Sequence, residues 1–493
     1  MPPAATDNGP GYRRRVSTVR NAPQLITYPD SLGGSLRTLS DLLDGRLAGC
    51  FGGVHVLPPF PSSGDRGFAP IDYQAIDPRF GTWRDLARIG SSHDLALDLI
   101  VNHVSRRSTE FRDFERHGPS SRFADLFLTL DKIWPGGEPD PADLALVFRR
   151  RQRPFSEVVG DTGEVERIWT TFGADDPSEQ IDIDVGSPIA RSMLAEQLAF
   201  FAERGVRLVR LDAVGYAIKR AGTSCFMVEP EIHEFLAWLR SVADPLGLEL
   251  LTEVHGDVAM QRRLADAGYW SYDFALPGLV LHAVLARTTQ WLVPHLRSAP
   301  ARLITTLDSH DGIPIQPDLD GALPLDQARV VVDACLAAGG NVSRVFRRDG
   351  LPDPSFDPHQ ANCTYYAAIG RDDDAYLMAR AIQLFSPGIP QVYYVGLLAG
   401  DNDPGAVPVT GDGRAVNRHD YSSREIAGAL ERPVVGRLLE LLRLRCEHPA
   451  FAGSLEVGGE GSKLRLVWRS GEDLCALEAD LSAGTWEISG ADG

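Results

Sequence analysis

The sequence predicts an α/β protein built on a (β/α)8 TIM barrel. Short apolar segments of strand length alternate with amphipathic segments of helix length, such as Ser192–Arg204 and Glu231–Ala243. The sequence contains eight such strands separated by crossovers, and eight strands close this kind of barrel. The predicted strands are Gln24–Tyr28, Gly53–Pro58, Leu95–His103, Leu208–Gly215, Glu249–His255, Ser271–Pro277, Leu303–Asp311 and Ile389–Val395.

Two connections are too long to be plain loops and predict insertions. The first follows predicted strand three, the second follows strand seven, and from about Leu455 an alternating pattern predicts a small antiparallel sheet. The predicted segments are 1–102 for the first barrel part with an N-terminal tail, 103–185 for an inserted subdomain, 186–311 for the middle barrel part, 312–371 for a second insertion or lid, 372–445 for the last barrel part and 446–493 for the C-terminal β domain.

The charge balance and the cysteines limit the class of protein. The net charge is −18, whereas surfaces that bind nucleic acid or anionic membranes are basic, so we expect neither partner. Met1–Arg20 lacks the apolar core of a secretion signal. The six cysteines form no CxxC pair or disulfide framework, which fits a reducing cytoplasm. We therefore predict a cytoplasmic protein, either a monomer or a homodimer.

The fourth strand carries two charges inside an apolar segment. In Val209–Gly215 (VRLDAVG), Arg210 and Asp212 are two positions apart and leave the strand on the same face. Buried parallel strands are normally apolar, so this pair needs an explanation. Two interpretations stand at this point: a structural Arg–Asp pair, or a carboxylate that the arginine keeps ionised as a nucleophile.

Polar side chains follow several other predicted strands. Barrel enzymes place their chemistry at the carboxyl ends of the strands. Because unpaired buried charges are costly, so many polar groups at these ends predict an active site. The residues at these positions are Asp65, Asn102, His103, Arg210, Asp212, Glu253, His310 and Asp311.

Three of these carboxylates suit retaining glycoside chemistry. It needs a carboxylate nucleophile, for which Asp212 fits, and a second carboxyl that protonates the leaving oxygen. Glu253 follows an apolar strand, where a raised pKa would make it the acid. Asp311 would hold sugar hydroxyls and favour positive charge in the transition state. Phe68 and Tyr216 are candidate sugar platforms or ordinary packing residues.

A metal centre is the competing interpretation. His103, His255 and His310 have acidic neighbours, but none shows the HExxH or CxxC spacing of a zinc site. There is also no GxxxxGK[ST] phosphate loop and no GxGxxG after a strand. We therefore predict neither a metal nor a cofactor.

Several segments resemble a known family. Asp98–His103 (DLIVNH), Arg210–Tyr216 (RLDAVGY), Glu253–His255 (EVH) and Ser309–Asp311 (SHD) are similar to the four motif regions of the α-amylase superfamily, glycoside hydrolase family 13. Others resemble the sucrose phosphorylase group of that family, between about Gln24 and Pro433. They are Gln24–Asp30 (QLITYPD), Asp65–Asp72 (DRGFAPID), Ala221–Met227 (AGTSCFM), Tyr272–Leu281 (YDFALPGLVL), Asp308–Ile313 (DSHDGI) and Pro390–Gly396 (PQVYYVG).

The resemblance implies a role for each motif residue. Asp212 would be the nucleophile, Glu253 the acid/base and Asp311 the transition-state stabiliser of a hexosyl transfer. Inorganic phosphate would then attack the glucosyl-enzyme and release α-D-glucose 1-phosphate. The predicted substrate-binding residues are Asp65, Phe68, His103, Phe172, Gln180, Arg210, Tyr216, His310, Asp357, Gln360 and Arg418.

Two segments distinguish the acceptor side. Phe148–Phe155 (FRRRQRPF) is a basic cluster in an acidic protein, and Phe356–Gln360 (FDPHQ) lies in the second insertion. The basic cluster is either a solvated charge run or a phosphate site, because arginine forks bind phosphate bidentately. Sucrose phosphorylases usually have proline and tyrosine where Arg150 and His359 stand, and this pair resembles the branch acting on sucrose 6F-phosphate. Arg150, Arg151 and a His359 that protonates near neutrality would bind its phosphoryl group.

Phosphorolysis of sucrose 6F-phosphate to α-D-glucose 1-phosphate and fructose 6-phosphate is thus the leading hypothesis, with sugar phosphate and inorganic phosphate as the small-molecule partners. Sucrose, glucosylglycerate or glucosylglycerol phosphorolysis stays open, since Ile168–Phe172 (IWTTF) partly resembles the glucosylglycerate enzymes. Simple hydrolysis is a further alternative. A non-catalytic barrel that serves as a binding module is the alternative from another class.

Overall fold

The computed structural model describes residues 19–161, 163–344 and 357–490. Nearly all of the predicted N-terminal tail lies outside these ranges, as does Phe356 in the second insertion. Within these ranges, no helix is both long enough and apolar enough to cross a bilayer.

The strands and helices follow one another in the order that the patterning predicts. The strands are β1 (Gln24–Thr27), β2 (Gly53–Val56), β3 (Asp94–Ile100), β4 (His103–Ser105), β5 (Phe155–Val159), β6 (Val165–Trp169), β7 (Gln180–Asp182), β8 (Val206–Asp212), β9 (Glu249–Thr252), β10 (Trp270–Asp273), β11 (Leu303–Thr305), β12 (Ile313–Pro314), β13 (Asn341–Arg344), β14 (Pro358–Asn362), β15 (Ile389–Tyr393), β16 (Ser454–Glu460), β17 (Lys463–Ser470), β18 (Asp473–Asp480) and β19 (Thr485–Ser489). The helices are α1 (Leu36–Asp44), α2 (Trp83–Gly90), α3 (Thr109–His117), α4 (Pro141–Leu146), α5 (Pro188–Glu203), α6 (Glu231–Ala243), α7 (Val258–Asp266), α8 (Leu276–Ala286), α9 (Leu292–Arg297), α10 (Leu325–Ala337), α11 (Tyr365–Ala368), α12 (Asp373–Phe385), α13 (Tyr394–Leu397), α14 (Ala406–Thr410), α15 (Ser423–Leu430) and α16 (Pro433–Glu447).

The predicted barrel is confirmed. Strands β1, β2, β3, β8, β9, β10, β11 and β15 are parallel and close in the order β1-β15-β11-β10-β9-β8-β3-β2. Its interior is filled by buried apolar side chains from alternate positions of the strands. These include Ala96, Leu208, Leu251, Trp270, Ile304 and Ile389. The filled interior makes the barrel a rigid support for the loops at its carboxyl end.

The crossover helices begin where the local sequence favours it. In α5, Ser187 accepts a hydrogen bond from the backbone of Ile189, and Pro188 takes the first helical position. The predicted helix Ser192–Arg204 lies almost entirely within α5, and the predicted helix Glu231–Ala243 coincides with α6.

The strands end earlier than the apolar patterning predicts. Predicted strand seven extends to Asp311, whereas β11 ends at Thr305, and β8 ends at Asp212 because Ala213 turns the chain with a φ of 51°. The loops beyond both strands remain buried, as Leu307 and Val214 show. Apolar residues therefore continue past the last ladder bond and do not mark where the strand ends.

The first insertion lies between β3 and α5 and contains β4 to β7. Strand β4 pairs with β7, and β5 with β6, in two antiparallel pairs. The side chain of Lys219, which lies beyond β8, is fully enclosed, with its Nζ 2.5 Å from Asp182 on β7 and 2.6 Å from Asn102 Oδ1 after β3. This buried cation fixes the insertion to the barrel rim.

The second insertion lies between β11 and α12. Its strands form a three-stranded sheet in the order β12-β14-β13, with α10 packed against β14. At the end of the chain, β16 to β19 form the four-stranded antiparallel sheet that the alternation predicts. Trp468 on β17 donates its indole N–H to the carbonyl of Phe385 on α12 at 2.9 Å, which docks this sheet on the barrel.

A buried ion pair anchors the loop after β11. Arg380 on α12 is 0 % exposed and donates from Nη2 to both carboxylate oxygens of Asp308 at 2.8 Å. Its other nitrogens bond to Tyr376 and Gln383. Asp308 stands two positions before His310, so α12 holds the segment that carries two predicted site residues.

Replacing Arg380 with alanine is expected to lower the free energy of unfolding by about 3–5 kcal/mol, because it strands a buried carboxylate. Urea unfolding measures the change. Arg437→Ala serves as the matched control, since this arginine pairs with Asp374 on the helix surface at 2.7 Å and exposed pairs contribute little. Equal losses in the two variants would contradict the anchoring role.

Candidate active site

Arg210 is the centre of a buried cluster of carboxylates. Its Nη1 binds Asp98 and lies 2.9 Å from Asp212 Oδ1, and its Nη2 lies 2.7 Å from Glu253 Oε1. Asp98 comes from β3, Asp212 from β8 and Glu253 from the end of β9, so three adjacent strands meet on one guanidinium. The backbone N–H of Ala213 also donates to Glu253 Oε2 at 2.8 Å. The carboxyl groups of Asp212 and Glu253 therefore lie on neighbouring nitrogens of one guanidinium group.

The charges around Asp212 change its protonation. Burial first, and the adjacent Glu253 carboxylate second, raise the pKa of Asp212, and Arg210 only partly opposes them. One of the two interpretations of the Arg210–Asp212 pair has the arginine keep Asp212 ionised, and the raised pKa of Asp212 contradicts it. The reason is that Arg210 shares its positive charge among three carboxylates rather than one.

Asp311 has the opposite environment. Burial opposes its charge, but the neighbouring His310 ring and the guanidinium groups of Arg414 and Arg418 outweigh burial and lower its pKa. Arg414 Nη1 lies 3.4 Å and Arg418 Nη2 lies 3.5 Å from Asp311 Oδ1. The same two arginines reach Asp65 Oδ1, at 2.6 Å from Arg414 and 3.7 Å from Arg418. Asp311 is therefore a carboxylate that stays ionised.

A flat wall faces these acids. The ring of His310 stacks parallel to that of Phe68, with centroids 5.1 Å apart. The guanidinium of Arg210 lies over the Phe68 ring, 5.6 Å from its centroid. Burial lowers the pKa of His310 to about 3, although the adjacent Asp311 carboxylate opposes this effect. Gly67, with a φ of 116°, lets the chain pass Pro58, because a Cβ there would lie 2.5 Å from the Pro58 carbonyl oxygen.

The structure brings His103, Gln180, Phe172 and Tyr216 to the same wall. His103 Nε2 lies 2.8 Å and Gln180 Nε2 lies 3.4 Å from the carbonyl oxygen of Phe68, so both support its backbone. Phe172 bridges His103 and Tyr216, with ring centroids 5.7 and 5.1 Å away. Both ring nitrogens of His103 have hydrogen-bond partners in the protein, since Nδ1 also lies 3.2 Å from Asn102 Nδ2. It therefore positions Phe68 in this structure.

Arg150 lies on the other side of Tyr216. It bonds to the Tyr216 hydroxyl group and lowers its pKa against the larger effect of burial, which raises it. Arg150 Nη1 is buried and has no hydrogen-bond partner among the described residues. A buried guanidinium nitrogen without a partner is costly unless a ligand completes it.

The structure gives Arg151 a different environment from the predicted one. Its Nη1 donates to Thr170 Oγ1 at 2.8 Å and its Nη2 donates to the carbonyl of Asp175 at 2.7 Å. These contacts connect two loops of the first insertion. The sequence placed Arg150 and Arg151 together because they are adjacent, but adjacent side chains in an irregular loop point apart.

The expected protonation of His359 near neutrality is wrong. His359 is 1 % exposed, and burial first and Arg150 second hold its pKa well below the usual value. Its Nδ1–H donates to the carbonyl of Gln316 at 2.6 Å, which leaves Nε2 as an acceptor. His359 therefore stands beside Arg150 as a neutral ring and supplies no positive charge.

Gln360, His255 and Asp318 complete the acceptor side. His255 Nε2 lies 3.3 Å from Gln360 Nε2 and 3.8 Å from Glu253 Oε1. Asp357 is 3 % exposed and binds Arg344, which holds it at the edge of the second insertion. His255, Glu253 and Asp311 each offer a donor atom within 4.8 Å of the others, which is the geometry of a metal site. The guanidinium of Arg210 on Glu253 opposes a divalent cation there, so these residues fit an acid–base cluster better.

Sequence reasoning missed some members of this site. Arg414 forms ion pairs with both Asp65 and Asp311. Asp98 forms an ion pair with Arg210, and its role was missed although it is the first residue of the segment Asp98–His103. Arg414 could have been found from the sequence because it stands four positions before Arg418, a spacing that places two side chains near each other. Asp318 lies in a loop without periodicity, and no signal pointed to it.

A parallel barrel whose strand ends gather paired carboxylates defines the class of enzymes that work on glycosidic bonds. Comparison with known proteins agrees. Residues 48–268 match the family model of the α-amylase catalytic domain. The chain is 51 % identical over 465 residues to the sucrose 6(F)-phosphate phosphorylase of Thermoanaerobacterium thermosaccharolyticum, covering 94 % of this chain and 95 % of that one.

Two further comparisons cover nearly the whole chain. The glucosylglycerol phosphorylase of Marinobacter adhaerens is 41 % identical, with 96 % of this chain and 97 % of that one covered. The crystal structure of sucrose 6F-phosphate phosphorylase from Thermoanaerobacter thermosaccharolyticum superimposes with a TM-score of 0.94 at 50 % identity, over 96 % of each chain. The chain therefore belongs to the α-amylase family, in its sucrose phosphorylase group.

Glu253→Gln is expected to extend formation of the glucosyl-enzyme to lower pH. Asp212 must be ionised to attack, and the Glu253 charge raises its pKa, so removing that charge lowers the pH at which attack fails. The measurement is the first-turnover burst of fluoride from α-D-glucosyl fluoride, whose leaving group needs no acid.

Glu249→Gln, at the other end of β9 and paired with Arg302 at 2.8 Å, is the control and should leave the acid limb unchanged. An acid limb of Glu253→Gln that stays in place or moves to higher pH would show that Glu253 does not set the pKa of Asp212.

Proposed function

We propose that this enzyme is a retaining glycoside phosphorylase that cleaves sucrose 6F-phosphate with inorganic phosphate. The products are α-D-glucose 1-phosphate and fructose 6-phosphate. The observation that carries the proposal is the pair of carboxylates on Arg210, Asp212 and Glu253, opposite a buried arginine nitrogen that lacks a partner in the described structure.

In the first step, Asp212 attacks the anomeric carbon of the glucosyl unit as Glu253 protonates the glycosidic oxygen. The C–O bond to fructose 6-phosphate breaks, and an ester bond to Asp212 forms. Glu253 is suited to this role because the Ala213 N–H and Arg210 fix its carboxyl group. The Phe68–His310 wall would lie along the sugar ring and exclude water.

Positive charge develops on the sugar ring in the transition state. Asp311 is the carboxylate whose ionised form Arg414 and Arg418 favour, so it would stabilise this charge and accept from the sugar hydroxyls. Asp65 is held by the same arginines and would bind a neighbouring hydroxyl. In this proposal both carboxylates contact only the glucosyl unit, so they would serve any glucosyl donor of the group.

In the second step, inorganic phosphate attacks the glucosyl-enzyme from the side that the fructosyl unit left. Glu253 accepts the proton from the phosphate oxygen, the bond to Asp212 breaks, and two inversions leave the α configuration. Water attacking in the same place would give glucose, which is the hydrolytic alternative.

Arg150 is the proposed ligand of the fructosyl phosphate. Its Nη1 is buried and unpaired within the described structure, and a charge-assisted hydrogen bond to phosphate would satisfy it. The sequence identity of 51 % to the sucrose 6(F)-phosphate phosphorylase of Thermoanaerobacterium thermosaccharolyticum supports this choice. His359 would contribute a neutral acceptor beside it, and Gln360 and Asp357 would contact the sugar hydroxyls. Arg151 would act through the loop that presents Arg150.

We infer a cytoplasmic enzyme. All six cysteines are free and all but Cys446 are buried, which fits a reducing compartment. The proposed small-molecule partners, a sugar phosphate and inorganic phosphate, are metabolites of such a compartment.

Arg150→Ala is expected to lower kcat/KM for sucrose 6F-phosphate by about 30- to 150-fold, the range of one charge-assisted hydrogen bond of about 2–3 kcal/mol. Use of sucrose should change less than about threefold, since it offers no phosphoryl group. Initial rates of α-D-glucose 1-phosphate release measure both.

Arg153→Ala is the matched control, because Arg153 lies in the same loop but pairs with Asp176 at 2.9 Å on the surface. Equal losses for both donors would show that Arg150 serves inorganic phosphate or the loop. Better use of sucrose by the wild type would reject the proposed substrate, and glucose as the main product would identify a hydrolase.

A further inference from the structure

The loop between β12 and α10 sends one carboxylate into the acceptor side of the site. Asp318 is 0 % exposed and lies in this second insertion, distant in sequence from β8 and β9. Its Oδ2 lies 2.9 Å from His255 Nδ1, and its Oδ1 accepts from Gln261 Nε2 at 3.0 Å. No step proposed above uses Asp318, although burying a carboxylate this completely is expensive.

The partners of Asp318 are themselves fixed. Gln261 on α7 also donates to the carbonyl of Gly256 at 2.8 Å and accepts from the backbone N–H of Phe274 at 3.3 Å. The ring of His255 stacks on Phe274, with centroids 4.2 Å apart and an interplanar angle of 12°. His255 therefore has one orientation: Nδ1 faces Asp318, and Nε2 faces Glu253 and Gln360.

We propose that Asp318 is a positioning residue that holds the Nδ1 proton of His255, so that His255 presents an Nε2–H beside Glu253 to the inorganic phosphate that attacks the glucosyl-enzyme. This inference rests on the proposed phosphorolysis. Inorganic phosphate is an anion that must approach Asp212, Glu253 and Asp311, all carboxyl groups, so a cation on its path lowers the cost of approach.

The charges around His255 support its cationic form. Burial alone would lower its pKa, but Asp318, then Glu253 and Asp311, raise it above the usual value. Burial raises the pKa of Asp318, and His255 opposes that effect. At a pH between the pKa of Asp318 and that of His255, the pair consists of a carboxylate and an imidazolium. His255 becomes a neutral imidazole as the pH rises through its own raised pKa.

The neighbouring His359 is another group that faces His255. Its ring lies 5.1 Å from that of His255 in an edge-on arrangement, and the charge of His255 contributes to lowering its pKa, after burial and Arg150. Gln360 completes the set of groups that face His255. Its amide would turn its oxygen toward Nε2 when His255 carries both protons, because two donors cannot bond to each other.

The test is the titration of His255 in the whole enzyme. Carbon-13-labelled histidine gives one resonance for each ring, and His255→Gln identifies the one to follow. In the wild type we expect a pKa above 6.5, the usual value. In Asp318→Asn, which keeps the shape and can still accept from Nδ1, we expect it to fall by about one unit or more.

The kinetic counterpart is the KM for inorganic phosphate between pH 6 and 8. In Asp318→Asn it should rise about tenfold at the alkaline end, since one unit of pKa changes the imidazolium fraction by that factor. The difference in KM between Asp318→Asn and the wild type should become smaller toward pH 6, because His255 is protonated there even when residue 318 carries no charge. Asp320→Asn, two positions along the same loop, is the control and should match the wild type in both measurements.

A wild-type His255 that titrates below 6.5 overturns the proposal, even if Asp318→Asn does not fold. So does an unchanged pKa in a folded Asp318→Asn, or a rise in KM that does not depend on pH, which would indicate a structural role only. Sugar preference does not enter the titration. An enzyme that preferred plain sucrose would therefore contradict the acceptor assignment and leave this inference standing.

Discussion

The site depends on one buried arginine. Arg210 binds Asp98, Asp212 and Glu253 at once, from three neighbouring strands of the barrel. One positive charge cannot compensate three negative ones, so burial and the neighbouring Glu253 carboxylate raise the pKa of Asp212 despite Arg210. The barrel forces these side chains together, because parallel strands in register deliver their carboxyl ends to one place. The chemistry thus begins from a cluster that folding stabilises only in part.

A second layer of charged side chains surrounds this cluster. Arg414 and Arg418 come from the loops after β15, Lys219 joins β7 to the rim, and Asp318 reaches in from the second insertion. The second insertion therefore does more than shape an entrance, since its Asp318 raises the pKa of His255 beyond the end of β9. This explains why a rigid barrel alone does not determine the acceptor side.

Much of the architecture was predictable because buried parallel strands are apolar and repeat at regular intervals. The same rule exposed Arg210 and Asp212, since charges stand out in an apolar segment. The strand ends were not predictable, as Leu307 and its neighbours stay buried beyond the ladder. The state of His359 was not predictable either, because its burial and its contact with Arg150 depend on segments far apart in the chain. Asp318 left no trace in the sequence for the same reason.

The contact between Arg414 and Asp65 joins residues 349 positions apart, one in the loop after the second barrel strand and the other after the last. Asp311 shares that arginine, so its surroundings are also incomplete until the final loop is present. During synthesis, a ribosome-bound chain that already carries Asp212, Glu253 and Asp311 still lacks this clamp. The growing polypeptide gains this set of charges only when the segment that carries Arg414 has emerged.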